Sequence, residues 1–212
     1  MHATIDVINR LKNETADLHA VAERHPFQAA MIRGSVGRQG YAAYLAQVLI
    51  VHRALEDRLA SMRTDARVRT IATNGRFRAD VIEGDLRALR SDGVAAAPTP
   101  GATRLVERIG KADAPELLGM LYVLEGSTNG GRFIAKAVGR SLGLEPGPGL
   151  RYLDPYGEEQ KGKWEVFKED FRRASFTPDE RDRAIEGAKA MFRGLVEVFD
   201  DLQANHTSPV PG

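Results

Sequence analysis

The apolar residues of this chain recur at spacings of three and four, and alternation never lasts more than a few residues. The period is that of the α-helix. From Thr4 to Arg24 a single stripe holds Ile5, Ile8, Leu11, Leu18 and Ala22, with Thr15 filling the gap in the series. One amphipathic helix is expected there, ended or redirected by Pro26. A second long helix is expected over residues 38–62, with Tyr41, Leu45, Val48, Leu49, His52, Leu55, Leu59 and Met62 inward. Shorter helices are expected near 66–73 and 77–90, then a loop bracketed by Asp92-Gly93 and Pro98-Thr99-Pro100-Gly101. Helical spacing returns over 102–109 and 114–124 and, after an interruption at 125–131, again from Phe133 to Leu142. Gly143, Pro146, Gly147, Pro148 and Gly149 open a segment, read as a surface loop, that runs to Gly157. Two final helices cover about 158–174 and 178–203. The second starts at Thr177-Pro178-Asp179-Glu180, a capping-box signature with Pro at the first helical position. The expected architecture is all-α: a single-domain bundle of six to eight helices over residues 1–204, with a flexible tail at 205–212.

Composition narrows the function classes. Thirty Lys+Arg against 29 Asp+Glu leave a formal net charge of +1. That is unlike a dedicated nucleic-acid binder, whose affinity comes largely from phosphate neutralisation. Zero Cys removes disulfides, thiolate metal sites, iron–sulfur ligation and Cys nucleophiles. The longest apolar run, residues 41–51, falls short of the ~18 residues a bilayer span needs and leads into His52-Arg53. No basic region leads into an apolar one at the N-terminus, so no secretory signal is read. A cytoplasmic protein with no membrane and no nucleic-acid partner is the expectation.

Three features carry candidate chemistry. His19 lies at the edge of the first apolar stripe, with Lys12 two turns before it and Glu23 one turn after. A neutral imidazole beside a carboxylate suits metal ligation, and it equally suits a core-edge histidine in a hydrogen bond. The second feature is the run Glu125-Gly126-Ser127-Thr128-Asn129-Gly130-Gly131. In a helix Gly126 and Gly130 share a face, and without Cβ that face admits a flat ligand close to the backbone. Such clustering more often marks a loop. Lys168 and Arg172 form an i, i+4 cation pair, able to grip a carboxylate or simply to face solvent beside Glu169 and Asp170. His52 and Glu56, one turn apart, lack the further inward carboxylates and the Glu-x-x-His pairs of a di-iron site.

Taken in order, these segments resemble the heme oxygenase family. Leu11-Lys12-Asn13-Glu14-Thr15-Ala16-Asp17-Leu18-His19-Ala20-Val21-Ala22-Glu23 is similar to the family's proximal helix. Gly34-Ser35-Val36 through Glu56, with Arg38-Gln39-Gly40-Tyr41 and Ala54-Leu55-Glu56, resembles the next helix. Tyr122-Val123-Leu124-Glu125-Gly126-Ser127-Thr128-Asn129-Gly130-Gly131 resembles the distal helix in its bacterial Glu-Gly-Ser form. Phe167-Lys168-Glu169-Asp170-Phe171-Arg172 and Ala188-Lys189-Ala190-Met191-Phe192 resemble the last two helices. The likeness spans about residues 8–203, and its specificity lies in the order and spacing of the segments.

The resemblance implies a soluble bacterial, biliverdin-producing heme oxygenase. It would open haem with oxygen to biliverdin and release carbon monoxide and ferrous iron. Haem is then both substrate and cofactor. O2 and external electrons are required, with a ferredoxin, a flavodoxin or a flavin reductase as partner. His19 is implied as the axial ligand to haem iron, with Glu23 orienting it. Gly126, Gly130 and Gly131 would form a kinked helix on the distal haem face, and His19, Gly126, Ser127 and Gly130 the catalytic set. Lys12, Lys168 and Arg172 would sit near the propionates, and Phe192 and Phe199 would line the pocket. Mammalian members carry Asp where this chain has Ser127, so the proton-delivery groups must differ. The alternative is a haem-binding or haem-trafficking protein on the same fold without ring opening.

Overall fold

The computed structural model describes residues 6–90 and 97–207, with side chains through residue 205. Residues 4 and 5 of the first expected helix, residues 92–96 of the expected loop and positions 208–212 of the expected tail lie outside the described residues. Among the described residues there are ten α-helices, two short 3-10 turns and no strand. The all-α expectation holds, with more helices than the expected six to eight. They are α1 Val7–Glu14, α2 Ala16–Glu23, α3 Pro26–Arg33, α4 Gly37–Ser61, α5 Ala66–Ile71, α6 Ala79–Ala88, α7 Pro100–Lys111, α8 Ala114–Leu142, α9 Gln160–Arg173 and α10 Pro178–Thr207.

The first expected helix is broken in two. Thr15 leaves the helical region (φ −113°, ψ 2°), and its buried hydroxyl donates to the Leu11 carbonyl at 2.6 Å. A threonine that back-bonds in this way bends a helix. Pro26 does redirect the chain, but it also starts α3, which the sequence reading missed. His25 caps that helix by accepting from the Phe27 N–H at 3.1 Å, and Gly34, at φ 69°, ends it.

The glycine-rich run is neither a loop nor a break, because α8 passes through it for 29 residues without interruption. Its three glycines cost about 1 kcal/mol each relative to alanine. A reciprocal capping box between Asp113 and Glu116 starts the helix. Buried Leu117, Leu118, Met120, Leu121, Ala135 and Val138 hold it on both sides of the run. The polar residues of the run stay within the helix by donating to carbonyls three residues back. Ser127 bonds to Leu124 at 2.7 Å, Thr128 to Glu125 at 2.6 Å and Asn129 to Gly126 at 2.9 Å.

The core lies between α8, α10, α7 and α4. α8 and α10 approach at backbone distance, where a Cβ on Gly119 would strike Ala184 and one on Gly187 would strike Glu116. The Thr177–Glu180 capping box at the start of α10 forms as expected. The segment after α8 is not a surface loop, since Gly149, Leu150, Tyr152 and Leu153 are buried. The buried Asp85 carboxylate pins it by accepting from the N–H of Gly149 (2.8 Å) and Tyr152 (2.7 Å), and the Tyr41 hydroxyl donates to the Gly149 carbonyl at 2.9 Å. Burial holds the Asp85 carboxyl above the usual aspartate range, against the opposing pull of those backbone donors.

Candidate active site

Of the longer helices, α2 is the one that buries nothing: Leu18 and Ala22 are half-buried, Val21 is exposed and the His19 side chain is 62% exposed. It is nevertheless held in place. Arg10 on α1 pairs with Asp182 at 2.7 Å, the His19 ring meets Phe192 edge-on at 5.8 Å, and His25 pairs with Asp200 at 3.0 Å. These contacts lay α1 and α2 along α10. The early part of α8 is fixed to α10 at Gly119, and its end is fixed to α3, where Gly34 abuts Ser141. α2 and the middle of α8 therefore span the same interval between shared anchors.

Gly126, Gly130 and Phe133 fall at i, i+4 and i+7 and share a face of α8. A Cβ on Gly130 would meet nothing within 4 Å, and one on Gly126 would rest against Trp164. Phe133 is 75% exposed. The large exposed apolar residues include Val21 on α2, Phe133 on α8 and Val166 on α9. Gly131 serves a different purpose: it lets the Leu153 backbone approach α8 and carries no open surface.

The His19 side chain makes no hydrogen bond among the described residues, and Glu23 stands 3.8 Å from its Nδ1. The imidazole is thus exposed and unengaged, flanked by the buried Phe192 ring. Lys12 is exposed on α1, across the Thr15 break from His19. Lys168 pairs with Glu165 at 2.8 Å and lies over the Trp164 ring. Arg172 pairs with Asp6 at 3.1 Å, tying α9 to the start of α1. Phe199 belongs to a buried cluster with Phe27, Tyr44 and His25 under the α2–α3 turn. The Ser127 hydroxyl is engaged by the Leu124 carbonyl.

Sequence reasoning missed a buried polar cluster on the inner side of α8. Glu125 accepts from the Tyr156 hydroxyl at 2.6 Å and lies 3.5 Å from an Arg78 guanidinium nitrogen. Arg78 also donates to the Tyr156 oxygen and covers its ring at 4.7 Å. Glu56 accepts from the backbone N–H of Arg78 (2.7 Å) and Ala79 (3.2 Å) and lies 3.1 Å from His52 Nδ1. Burial pushes the Glu125 carboxyl above the usual glutamate range and the Tyr156 phenol up to about 12. The available signal was a carboxylate directly after the apolar helical stretch Leu117 to Leu124 and directly before the first glycine of the run. Next to this cluster, Gln160 donates to Thr128 at 2.8 Å and to Asn129 at 3.2 Å, joining the start of α9 to the glycine-rich turn. A separate groove of about 850 Å³, lined by Lys136, Arg140, Leu144, Leu150 and Arg151 among others, contains none of the predicted site residues.

The heme oxygenase family model matches residues 5–201. The heme oxygenase of Xanthomonas campestris pv. campestris is 31% identical over 167 residues, covering 77% of this chain and 90% of the relative. Heme oxygenase 1 of Pongo abelii is 26% identical over 208 residues, 93% of this chain and 72% of the relative. Among solved structures, heme oxygenase-1 from Synechocystis in complex with heme aligns with a TM-score of 0.84 at 19% identity, covering 95% of this chain and 94% of that one. A domain of unknown function with a heme oxygenase-like fold from Shewanella denitrificans aligns with a TM-score of 0.69 at 15% identity, covering 96% and 94%. The solved structures define the class, an all-α bundle of the heme oxygenase type. The chain belongs to the heme oxygenase family, whose members are enzymes, haem-degrading oxygenases.

Proposed function

We propose that the chain binds haem between α2 and the Gly126–Gly130 face of α8 and opens it to biliverdin, with release of carbon monoxide and ferrous iron. The observation that carries this reading is the pairing of an exposed, unengaged imidazole at His19 with a helix face that has no side chain at Gly130. These residues fit the group. A neutral imidazole is a ligand for haem iron, and bare backbone lets a flat macrocycle come close. When bound, haem supplies the iron that activates oxygen and the ring that is oxidised.

The residues of the chain take the remaining tasks. His19 holds the metal from one side, with Glu23 one turn away to set its orientation. Gly126 and Gly130 admit the ring and restrict the space above it, and Gly131 fixes that segment against Leu153. Phe192 supports the imidazole edge-on. Lys12, Lys168 and Arg172 supply positive charge for the carboxylates of the ligand. Lys168 and Arg172 would exchange Glu165 and Asp6 for those carboxylates. Phe199 acts from behind, through the aromatic cluster beneath the α2–α3 turn. Electrons come from outside the chain, from a ferredoxin, a flavodoxin or a flavin reductase, in a cytoplasmic setting. No helix among the described residues is long and apolar enough to cross a membrane.

The test is to load the protein with haemin, supply oxygen and ascorbate, and identify the product chromatographically. Biliverdin is expected. A ligated haem spectrum with no ring opening would replace this reading with haem binding or trafficking, which the engaged Ser127 hydroxyl favours. A spectrum that stays that of free haemin would overturn both.

A further inference from the structure

We propose that Trp164 is the wall against which the ligand of the bare α8 face is seated, and that it selects the in-plane rotation of a flat macrocycle lying there. That role rests on the proposed function; the place of the indole does not. The bare face is open at one end and closed at the other. A Cβ on Gly130 would meet nothing within 4 Å, whereas one on Gly126, a turn earlier, would meet the six-membered ring of Trp164 at 3.5 Å. An indole carried by α9 therefore stands over Gly126, and a plate resting on Gly130 meets it on sliding toward Gly126. The indole is half-buried and cannot step aside freely. It stacks on the buried Phe167 ring at 5.3 Å and 17°, and the Tyr122 ring of α8 lies 5.6 Å from it. One turn before it, Gln160 donates to Thr128 at 2.8 Å and to Asn129 at 3.2 Å. Gln160 on one side and Phe167 on the other thus fix the register of α9 against the glycine run.

A flat macrocycle with carboxylates on one edge can lie on bare backbone in several in-plane rotations, which differ in the bridge carbon they present to the open side. Charge alone chooses weakly among them. Lys168 is a point charge on a flexible stem, already paired with Glu165 at 2.8 Å. The indole adds what the cation lacks, a rigid edge with few rotatable bonds and a large apolar surface. Lys168 follows Trp164 by one turn and holds its ammonium 5.9 Å from the centre of the indole, so cation and wall stand at the same edge of the site. A carboxylate drawn to Lys168 brings the rim of the macrocycle against Trp164. The two contacts together favour one rotation where either alone would admit more. Rings in offset or edge-on contact attract one another beyond the area they bury, so the indole holds the rim as well as stopping it.

Trp164 is the only tryptophan of the chain, so the test has a single signal. In nitrogen-15-labelled full-length protein the one indole N–H resonance is followed as zinc protoporphyrin, which is diamagnetic and takes one imidazole ligand, is titrated in. The ring current of a macrocycle against Trp164 should move that resonance strongly. A resonance that stays in place in protein that binds the porphyrin overturns the proposal. Trp164→Ala and Trp164→Phe are then loaded with haemin, once circular dichroism shows them folded. Trp164→Ala should weaken haemin affinity and shift the ratio of biliverdin isomers, each by about two- to tenfold, the effect of one aromatic contact on an equilibrium. Trp164→Phe, which keeps a ring on Phe167, should recover part of both. A role confined to packing α9 would change stability and leave the isomer ratio at the wild-type value, and that result overturns the proposal. Should Trp164→Ala fail to fold, the wild-type resonance and Trp164→Phe decide. A wild type that opens haem while the resonance and the isomer ratio stay unmoved keeps the proposed function and loses the wall. A wild type that binds neither haemin nor zinc protoporphyrin loses both.

Discussion

Replacing Gly130 or Gly131 with alanine separates two reasons for a glycine inside α8. Both residues lie mid-helix, so both substitutions gain the same intrinsic helix propensity, about 1 kcal/mol. At position 130 the new methyl meets nothing within 4 Å, so that gain is uncancelled. Gly130→Ala should stabilise the haem-free protein by up to ~1 kcal/mol, a rise in Tm of about 2–4 °C for a chain of this size. At position 131 the methyl would overlap the Leu153 carbonyl, which is backbone pinned through Asp85 and cannot withdraw cheaply. Overpacking of that kind costs about 1–3 kcal/mol, so the two variants should differ by roughly that amount in opposite directions. Denaturant unfolding of the haem-free proteins, read by far-ultraviolet circular dichroism, measures it. Gly130→Leu should then lose haemin affinity while staying folded. If Gly130→Ala proves less stable than wild type, or Gly130→Leu binds haemin as wild type does, the bare face is not a ligand floor and the reasoning fails.

His19→Ala should leave stability within about 0.5 kcal/mol, because the side chain is mostly exposed and makes no hydrogen bond. It should also abolish the ligated haem spectrum, which added imidazole would restore in part, and visible spectroscopy checks both. Glu125→Gln should change the pH dependence of stability. The folded carboxyl is raised above the ordinary value of 4.5, so its stabilising contribution is complete below that value and is lost as pH rises through the folded one. Thermal melts at rising pH above 4.5 should therefore show the variant gaining on wild type until pH passes the folded value, and a difference constant across the whole range would contradict the burial argument. Asp85→Ala should cost about 2–6 kcal/mol, since it strands the buried N–H groups of Gly149 and Tyr152 at roughly 1–3 kcal/mol each. Chemical denaturation measures that loss.

Where the sequence carried a strong local signal, the fold was legible. The period of three and four named the class, and Thr177-Pro178-Asp179-Glu180 placed the start of α10. It misled wherever tertiary packing overrode local preference. By local pattern Gly126 through Gly131 read as a loop, and only the family resemblance implied a helix; Leu117–Leu121 on one side and Ala135–Val138 on the other carry the helix through, and three side chains turn back onto carbonyls three residues earlier. Pro148 and its glycines read as surface, because nothing local announces that Asp85, more than sixty positions earlier, fixes that segment. Thr15 read as a gap-filler in one stripe, although a single hydroxyl bond was enough to split the helix. His19 and the glycine face were legible as types at a spacing, but their mutual placement depends on α10 and α3, which no local pattern encodes. The Glu125 cluster draws on four separated stretches of chain and left only one local trace, a carboxylate among leucines.

A helix that shelters no core residue can be redrawn without unfolding the rest of the bundle. The eight residues of α2 stand in that position, and the bend at Thr15 keeps whatever happens to them from propagating into α1. Substitutions can therefore reshape the α2 surface one position at a time, whereas α8, threaded through the centre of the molecule, must change together with its neighbours or not at all.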